Sequence, residues 1–400
     1  MAVGNLKIEL EKKLEEIAVI LCDSIDEFEN PGVLAGVSGL ALFMYYYSRY
    51  TNEQKYKEIG MQALEKAVDM LNNGYNLPNF CNGISGFTWT CKHLEKNGFV
   101  DTKTISFVED LEPYLLSCFE REFKNKNYDF LHGGLGIGFY FVENNESLSE
   151  KFVENLLNYL VNTAIPTIDG GLKWKSINSD DESPLYETGI AHGVAGIIAY
   201  IAILNKQYPA FFSKKKEIVA GSINYILQQQ FSETGILYYL FNKPKNETVT
   251  KHISLGWCNA DLGIFYALLM ASHKFSNKNW KKIALEMLEH CCNHKNIDET
   301  SINDACLCHG TSGIAHIFNR LFYETKKPVF QETSVFWLMQ TLNFAKFCDG
   351  LAGYKMWNSI EFGGWKNNFT LLTGIIGIGL SIISYLDPSL MNWDRCILLS

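Results

Sequence analysis

The sequence predicts an all-α protein: a closed double ring with seven inner helices inside seven outer ones. Three observations lead there. A G-x-x-G motif heading an apolar run recurs seven times across the 400 residues. Between successive motifs there is room for one more helix and two loops, and these stretches are amphipathic. The first and last copies are as apolar as the middle ones, so neither end resembles the polar cap of an open solenoid.

The copies run in order along the chain. The first is "AGVSGLALFMYY" at Gly36 and Gly39, the second "NGISGFTWTC" at Gly83 and Gly86. "HGGLGIGFYF" follows at Gly133 and Gly136, then "HGVAGIIAYI" at Gly193 and Gly196. In "CNADLGIFYALL", Ala260 replaces the first glycine before Gly263. "HGTSGIAHIF" at Gly310 and Gly313 and "TGIIGIGLSI" at Gly374 and Gly377 complete the set. Each heads an inner helix, apolar nearly all round, that must be covered on both sides. The intervening stretches, such as "EQKYKEIGMQALEKAVDMLNNG" and "SKKKEIVAGSINYILQQQ", carry one apolar stripe and form the outer ring. The glycines are expected to let backbone approach backbone where helix ends converge, and to permit positive φ at the entry turn. Residues 168–189, 235–257 and 347–369 break the scheme and read as rim insertions, the first with room for a short hairpin. No linker divides the chain, so residues 1–400 read as a single domain.

Composition narrows the function. The formal charge is −9 and no basic stripe with interleaved aromatics appears, which argues against nucleic acid as partner. The N-terminal stretch is a charged amphipathic helix without a signal-peptide block, and no uncharged apolar run of about 18 residues exists. The expected location is cytoplasmic. Eleven cysteines, an odd number, do not suit a full disulfide framework, and most are expected in the core.

Loops heading equivalent helices should gather at one face, and that singles out three residues. Cys258 lies two positions before Ala260; Cys308 and His309 directly precede Gly310. Two thiolates and an imidazole are a zinc donor set, and three protein ligands leave one tetrahedral position open, as in catalytic sites. The bland alternative is that both cysteines are core and His309 caps a helix. A competing cluster, His290, Cys291, Cys292 and His294, sits at an outer helix end, away from the motif loops. Cys306 and Cys81 are either spare ligands or core. His192 and His132 stand in the register position of His309, and Asp129 lies just upstream of the third motif. A histidine there can give or take a proton.

Together the seven motifs, "WC", "CHG" and "AHG" resemble the lanthionine synthetase C-like (LanC) cyclases over essentially the whole chain. The resemblance implies an α,α-toroid and one zinc per chain, held by Cys258, Cys308 and His309. It implies a bacterial lanthipeptide cyclase adding peptide cysteine thiols to dehydroalanine or dehydrobutyrine, giving (methyl)lanthionine thioether rings. His192 would be the acid for the enolate, with Asp129 orienting it or handling the thiol proton. Trp257, Asn259 and His132 would contact substrate. The implied partners are a dehydrated precursor peptide, a separate dehydratase and a membrane transporter, which would make the protein peripheral at the membrane. The fifth loop departs from the family's usual "WCYGxPG": Asn259, Ala260 and Leu262 replace tyrosine, glycine and proline. Ser254 stands where an arginine is frequent, with Lys251 and His252 nearby to supply charge. Those departures leave open a second reading, a non-catalytic zinc protein binding a thiol, glutathione or a peptide. A helical ring acting on glycans or polyprenyl chains would want acidic pairs that the loops do not supply.

Overall fold

A computed structural model describes residues 3–144, 150–177, 184–207, 216–231, 238–239, 255–300 and 302–400. Ser254, Lys251 and His252, and most of the 235–257 stretch, lie outside the described residues. The chain divides into two compact units, Met1–Cys118 with Ile302–Cys396, and Phe119–Ser301 with Ile397–Ser400.

The first unit holds α1 (Val3–Cys22), α2 (Val37–Thr51), α3 (Gln54–Asn72) and α4 (Ile84–Lys96). From the far end of the chain it takes α12 (Thr311–Thr325), α13 (Pro328–Asn343) and α14 (Ile375–Leu386). α5 (Glu112–Lys124) spans the division. The second unit holds α6 (Gly134–Asn144), α7 (Glu150–Thr163), α8 (Val194–Gln207), α9 (Lys216–Gln228), α10 (Asp261–Lys274) and α11 (Lys278–Cys291). Among the described residues, three short antiparallel ribbons punctuate the helices. They are β1 (Ile165–Pro166) with β2 (Leu172–Lys173), β3 (Gln230–Phe231) with β4 (Tyr238–Tyr239), and β5 (Met356–Trp357) with β6 (Trp365–Lys366).

Two classes of helix are present, and burial separates them. α10 is buried continuously from Asp261 to Ser272, and α2 from Val37 to Tyr47. The amphipathic helices that follow them bury one stripe. In α11 the buried residues are Trp280, Ala284, Met287, Leu288 and Cys291, the three- and four-residue spacing of a single face. Each buried aliphatic or aromatic side chain contributes roughly 1.5–3 kcal/mol over leaving it in water. α2 packs on α3, α10 on α11, and α12 on α13, each motif helix against the amphipathic helix that follows it. Motif helices also pack on one another: α8 on α10 in the second unit, and α12 on α14, α14 on α2 and α2 on α4 in the first. α1 lies against α14, so in the first unit the beginning and end of the chain pack together.

The motif glycines work by close approach alone. At the helix entry φ is −126° for Gly36, −112° for Gly83, −101° for Gly310 and −120° for Gly374, all in the extended region. The expectation of positive φ is therefore wrong, and the same backbone at Ala260 (φ −138°) shows why alanine is accepted there. What excludes a side chain is space. A Cβ on Gly313 would overlap the Leu307 carbonyl oxygen, and one on Gly263 that of Trp257.

Candidate metal and acid–base site

The entry turns share one hydrogen-bond scheme. The N–H following the first glycine position donates back to the carbonyl seven residues earlier. Examples are Val37 to Asn30 (3.0 Å), Gly134 to Asn127 (2.9 Å), Thr311 to Asp304 (3.2 Å) and Ile375 to Asn368 (3.1 Å). All four of those acceptor residues are Asn or Asp. In the sixth and seventh turns their side chains also hold the loop, with Asp304 Oδ1 accepting from Cys306 N (2.9 Å) and Asn368 Oδ1 from Thr370 N (2.8 Å). Sequence reading missed this position, although an Asx six residues before the glycine in four copies was a visible signal.

Neighbouring turns are stitched together at the residue two before the glycine position. In the first unit Cys308 N donates to Leu372 O (2.9 Å), Leu372 N to Leu34 O (3.0 Å) and Leu34 N to Cys81 O (3.0 Å). In the second, Ala191 N donates to Cys258 O (3.1 Å). Cys258 and Cys308 thus hold equivalent positions in their turns, each within its own unit. Gly189 makes room for the fifth turn, since a Cβ there would strike Asn259 Oδ1 and Cys258 O.

In the second unit the turns assemble an acid–base group. Asp129 Oδ2 lies 2.6 Å from His192 Nδ1, and Asp129 Oδ1 accepts the backbone N–H of His132 at 2.7 Å. The rings of His132 and His192 are nearly parallel, with centroids 6.2 Å apart. Asp129 is buried (6% exposed). Burial opposes charge on His192. The hydrogen bond and charge of Asp129, with Glu187 and Cys258, outweigh it and hold the ring above its ordinary value. His132 goes the other way: burial lowers it, Asp129 offsets part of that, and the His192 charge adds to the lowering. With Nδ1 facing the carboxylate, Nε2 of His192 is the nitrogen left to exchange a proton with substrate.

In the first unit Cys308 is buried and His309 is half exposed (43% of its side chain). Asp304, 1% exposed, lies behind the ring, with Oδ2 3.7 Å from His309 Nε2. Its carboxyl stays below the ordinary range: burial opposes this, but His309 and the N–H groups of Trp357 and Cys306 prevail. Ligand atoms of Asp304, Cys306 and His309 lie within 4.8 Å of one another. Cys306 is fully buried and burial raises its thiol, which disfavours the thiolate a metal needs; it reads as core. Cys258, Cys308 and His309 by contrast fit zinc by donor chemistry, two soft sulfurs and an imidazole on equivalent loops.

Trp257 does not fit the substrate role expected of it. It is 1% exposed, and its indole N–H donates to Ile397 O (2.9 Å), anchoring the C-terminal residues as Tyr266 does through Leu399 O (2.9 Å). Asn259 keeps a buried Oδ1 without a hydrogen-bond partner. His290 and His294 form a pair, their Nε2 atoms 3.1 Å apart. No helix among the described residues is long and apolar enough to cross a membrane.

The turn scheme and the site residues agree with a match of residues 27–398 to the family model described as lanthionine synthetase C-like protein, and the chain belongs to that family. Its fold is all-α, an α,α-toroid, and is similar to the structure of nisin cyclase: TM-score 0.75, 18% identity, covering 97% of both chains. An unsaturated glucuronyl hydrolase specific for heparin (TM-score 0.42, 10% identity, 98% and 99% covered) is a more distant likeness. So is a sugar epimerase from a ruminal bacterium (0.40, 14%, 94% and 98%).

Proposed function

We propose that this chain is a zinc-dependent lanthionine cyclase acting on a dehydrated precursor peptide, with Cys258, Cys308 and His309 as metal ligands. One observation carries the proposal beyond family membership. The second unit holds a carboxylate-paired histidine, His192 with Asp129, on the turn hydrogen-bonded to the Cys258 turn.

Zinc, when bound, would favour the thiolate form of an incoming cysteine, whose free pKa is about 8.5. The net reaction adds S–H across a C=C bond. Sulfur bonds to Cβ of the dehydro residue, the electron pair moves to Cα as an enolate, and Cα receives a proton. His192 supplies that proton from Nε2 and is recharged through solvent by the proton the thiol released, so the net change is addition of S–H. Asp129 holds Nδ1, fixing the ring and keeping it charged. The His132 N–H in turn fixes Asp129, and His132 itself, with its lowered basicity, remains neutral at the mouth. Because the reaction consumes dehydroalanine or dehydrobutyrine, a separate dehydratase must act first on the same peptide.

The test is zinc content followed by turnover. Wild type should carry one zinc per chain, and Cys308→Ala should lose it. Wild type given a dehydrated cysteine-containing peptide should remove free thiol without mass change, and His192→Ala should not. Zinc-free wild type of full helical content would refute the metal assignment. Zinc-loaded wild type that leaves every thiol free, on peptides of several ring sizes, would refute the cyclase reading.

A further inference from the structure

We propose that Asp304 is a positioning residue for the metal site: it holds His309 in its ligand orientation and fastens the β5–β6 ribbon to the same turn. The inference rests on the zinc reading above and assigns a role to a residue outside the ligand set.

The geometry is that of a buried carboxylate with three neighbours. Oδ1 accepts from Cys306 N at 2.9 Å and Oδ2 from Trp357 N at 2.8 Å, while Oδ2 also faces His309 Nε2 at 3.7 Å. Two backbone donors fix the carboxylate plane, so it cannot rotate to follow the ring; the ring must align with it. With Nε2 turned toward Asp304, Nδ1 is the nitrogen left for a metal. A carboxylate behind a metal-bound imidazole raises its donor strength and restricts its rotation, and removing such a partner typically costs 10–100-fold in metal affinity. The 1% exposure of Asp304 also needs a reason, since a buried carboxylate is costly unless its neighbours are donors or cations.

The Trp357 bond gives the arrangement a second consequence. Trp357 opens the β5–β6 ribbon, its ring 5.0 Å from Trp365, which in turn lies 4.8 Å from Phe347. The ribbon's connection carries Ile360 and Phe362, 84% and 68% exposed. One carboxylate therefore sets both the ligand ring and the ribbon beside it.

The test is a double-mutant cycle on zinc affinity, measured by chelator competition with purified holoprotein. Asp304→Asn should raise the zinc Kd 10–100-fold in the wild-type background. In a His309→Ala background it should change Kd less than about twofold, because the group it acts through is gone. A similar loss in both backgrounds would mean that Asp304 only holds the turn, and the proposal would fail. No loss in the wild-type background would also overturn it. Asp304→Ser serves as a second variant: it keeps a short acceptor for Cys306 N but reaches neither Trp357 N nor His309. It should reproduce the affinity loss, while a lower melting temperature of the metal-free protein reports the lost ribbon bond separately. Wild type lacking zinc altogether would instead sink the metal assignment itself.

Discussion

Asp129→Asn probes the acid–base pair with little change of shape. Asn keeps the size of the side chain and an oxygen able to accept the His132 N–H. It removes the charge and the 2.6 Å charge-assisted bond to His192 Nδ1. Hydrogen bonds to charged groups contribute about 1.5–3 kcal/mol, so losing this one should lower the basicity of His192. The sign follows from its role. His192 acts in its protonated form and its folded value is raised, so turnover should be level at low pH and fall as pH rises through that value. The stabilisation from the charged pair is likewise present below the ordinary imidazole pKa of about 6.5 and lost as pH rises through the raised one. In Asp129→Asn the falling limb should move to lower pH. Turnover at neutral pH should drop about 10²–10³-fold, within the range general acid catalysis supplies. The assay is thioether formation from pH 5.5 to 9 with zinc content held equal. A rate loss with an unmoved limb would refute the pairing argument and place Asp129 on the thiol proton instead.

The other predictions concern ligands and packing. Cys308→Ala should abolish zinc binding while retaining helical circular dichroism, and Asp304→Asn should weaken zinc only where His309 is present. Gly313→Ala should cost about 1–3 kcal/mol by urea unfolding, since the new methyl meets the Leu307 carbonyl rather than a side chain that could move. An unchanged midpoint would show that the turn relaxes freely. Asp394→Ala should destabilise by about 3–5 kcal/mol. The fully buried carboxylate lies 2.7 Å from His316 Nε2 and 2.9 Å from Arg320 Nη1, and its loss leaves those groups without their acceptor.

Repetition made the architecture legible. Seven copies of one turn placed Cys258, Cys308 and His309 in register, and the Leu34, Leu372 and Cys308 hydrogen bonds show what that register is physically. The same habit of reading motifs one residue at a time misjudged two features. Positive φ was assigned to glycines whose actual constraint is a neighbouring carbonyl. Trp257 was expected among the substrate contacts, but it is buried and its indole is spent on Ile397. Asp304 was out of reach for a different reason. Its partner Trp357 is 53 residues away, on a ribbon whose sequence carries no signal of its target.

On the proposed reading a single scaffold position supports three chemistries, and neighbouring carboxylates separate them. His132, His192 and His309 all stand directly before the first glycine of their motifs. His192 takes through its ring a carboxylate from the preceding turn, Asp129, and is driven toward the charged form of an acid. His132 meets the same carboxylate through its backbone N–H, so its ring gains less from that charge than burial removes. His309 faces Asp304 of its own turn, a carboxylate already engaged by two N–H groups and too distant for a full hydrogen bond. That partner can orient the ring without the tight hydrogen bond that His192 makes, as the proposed metal ligand needs.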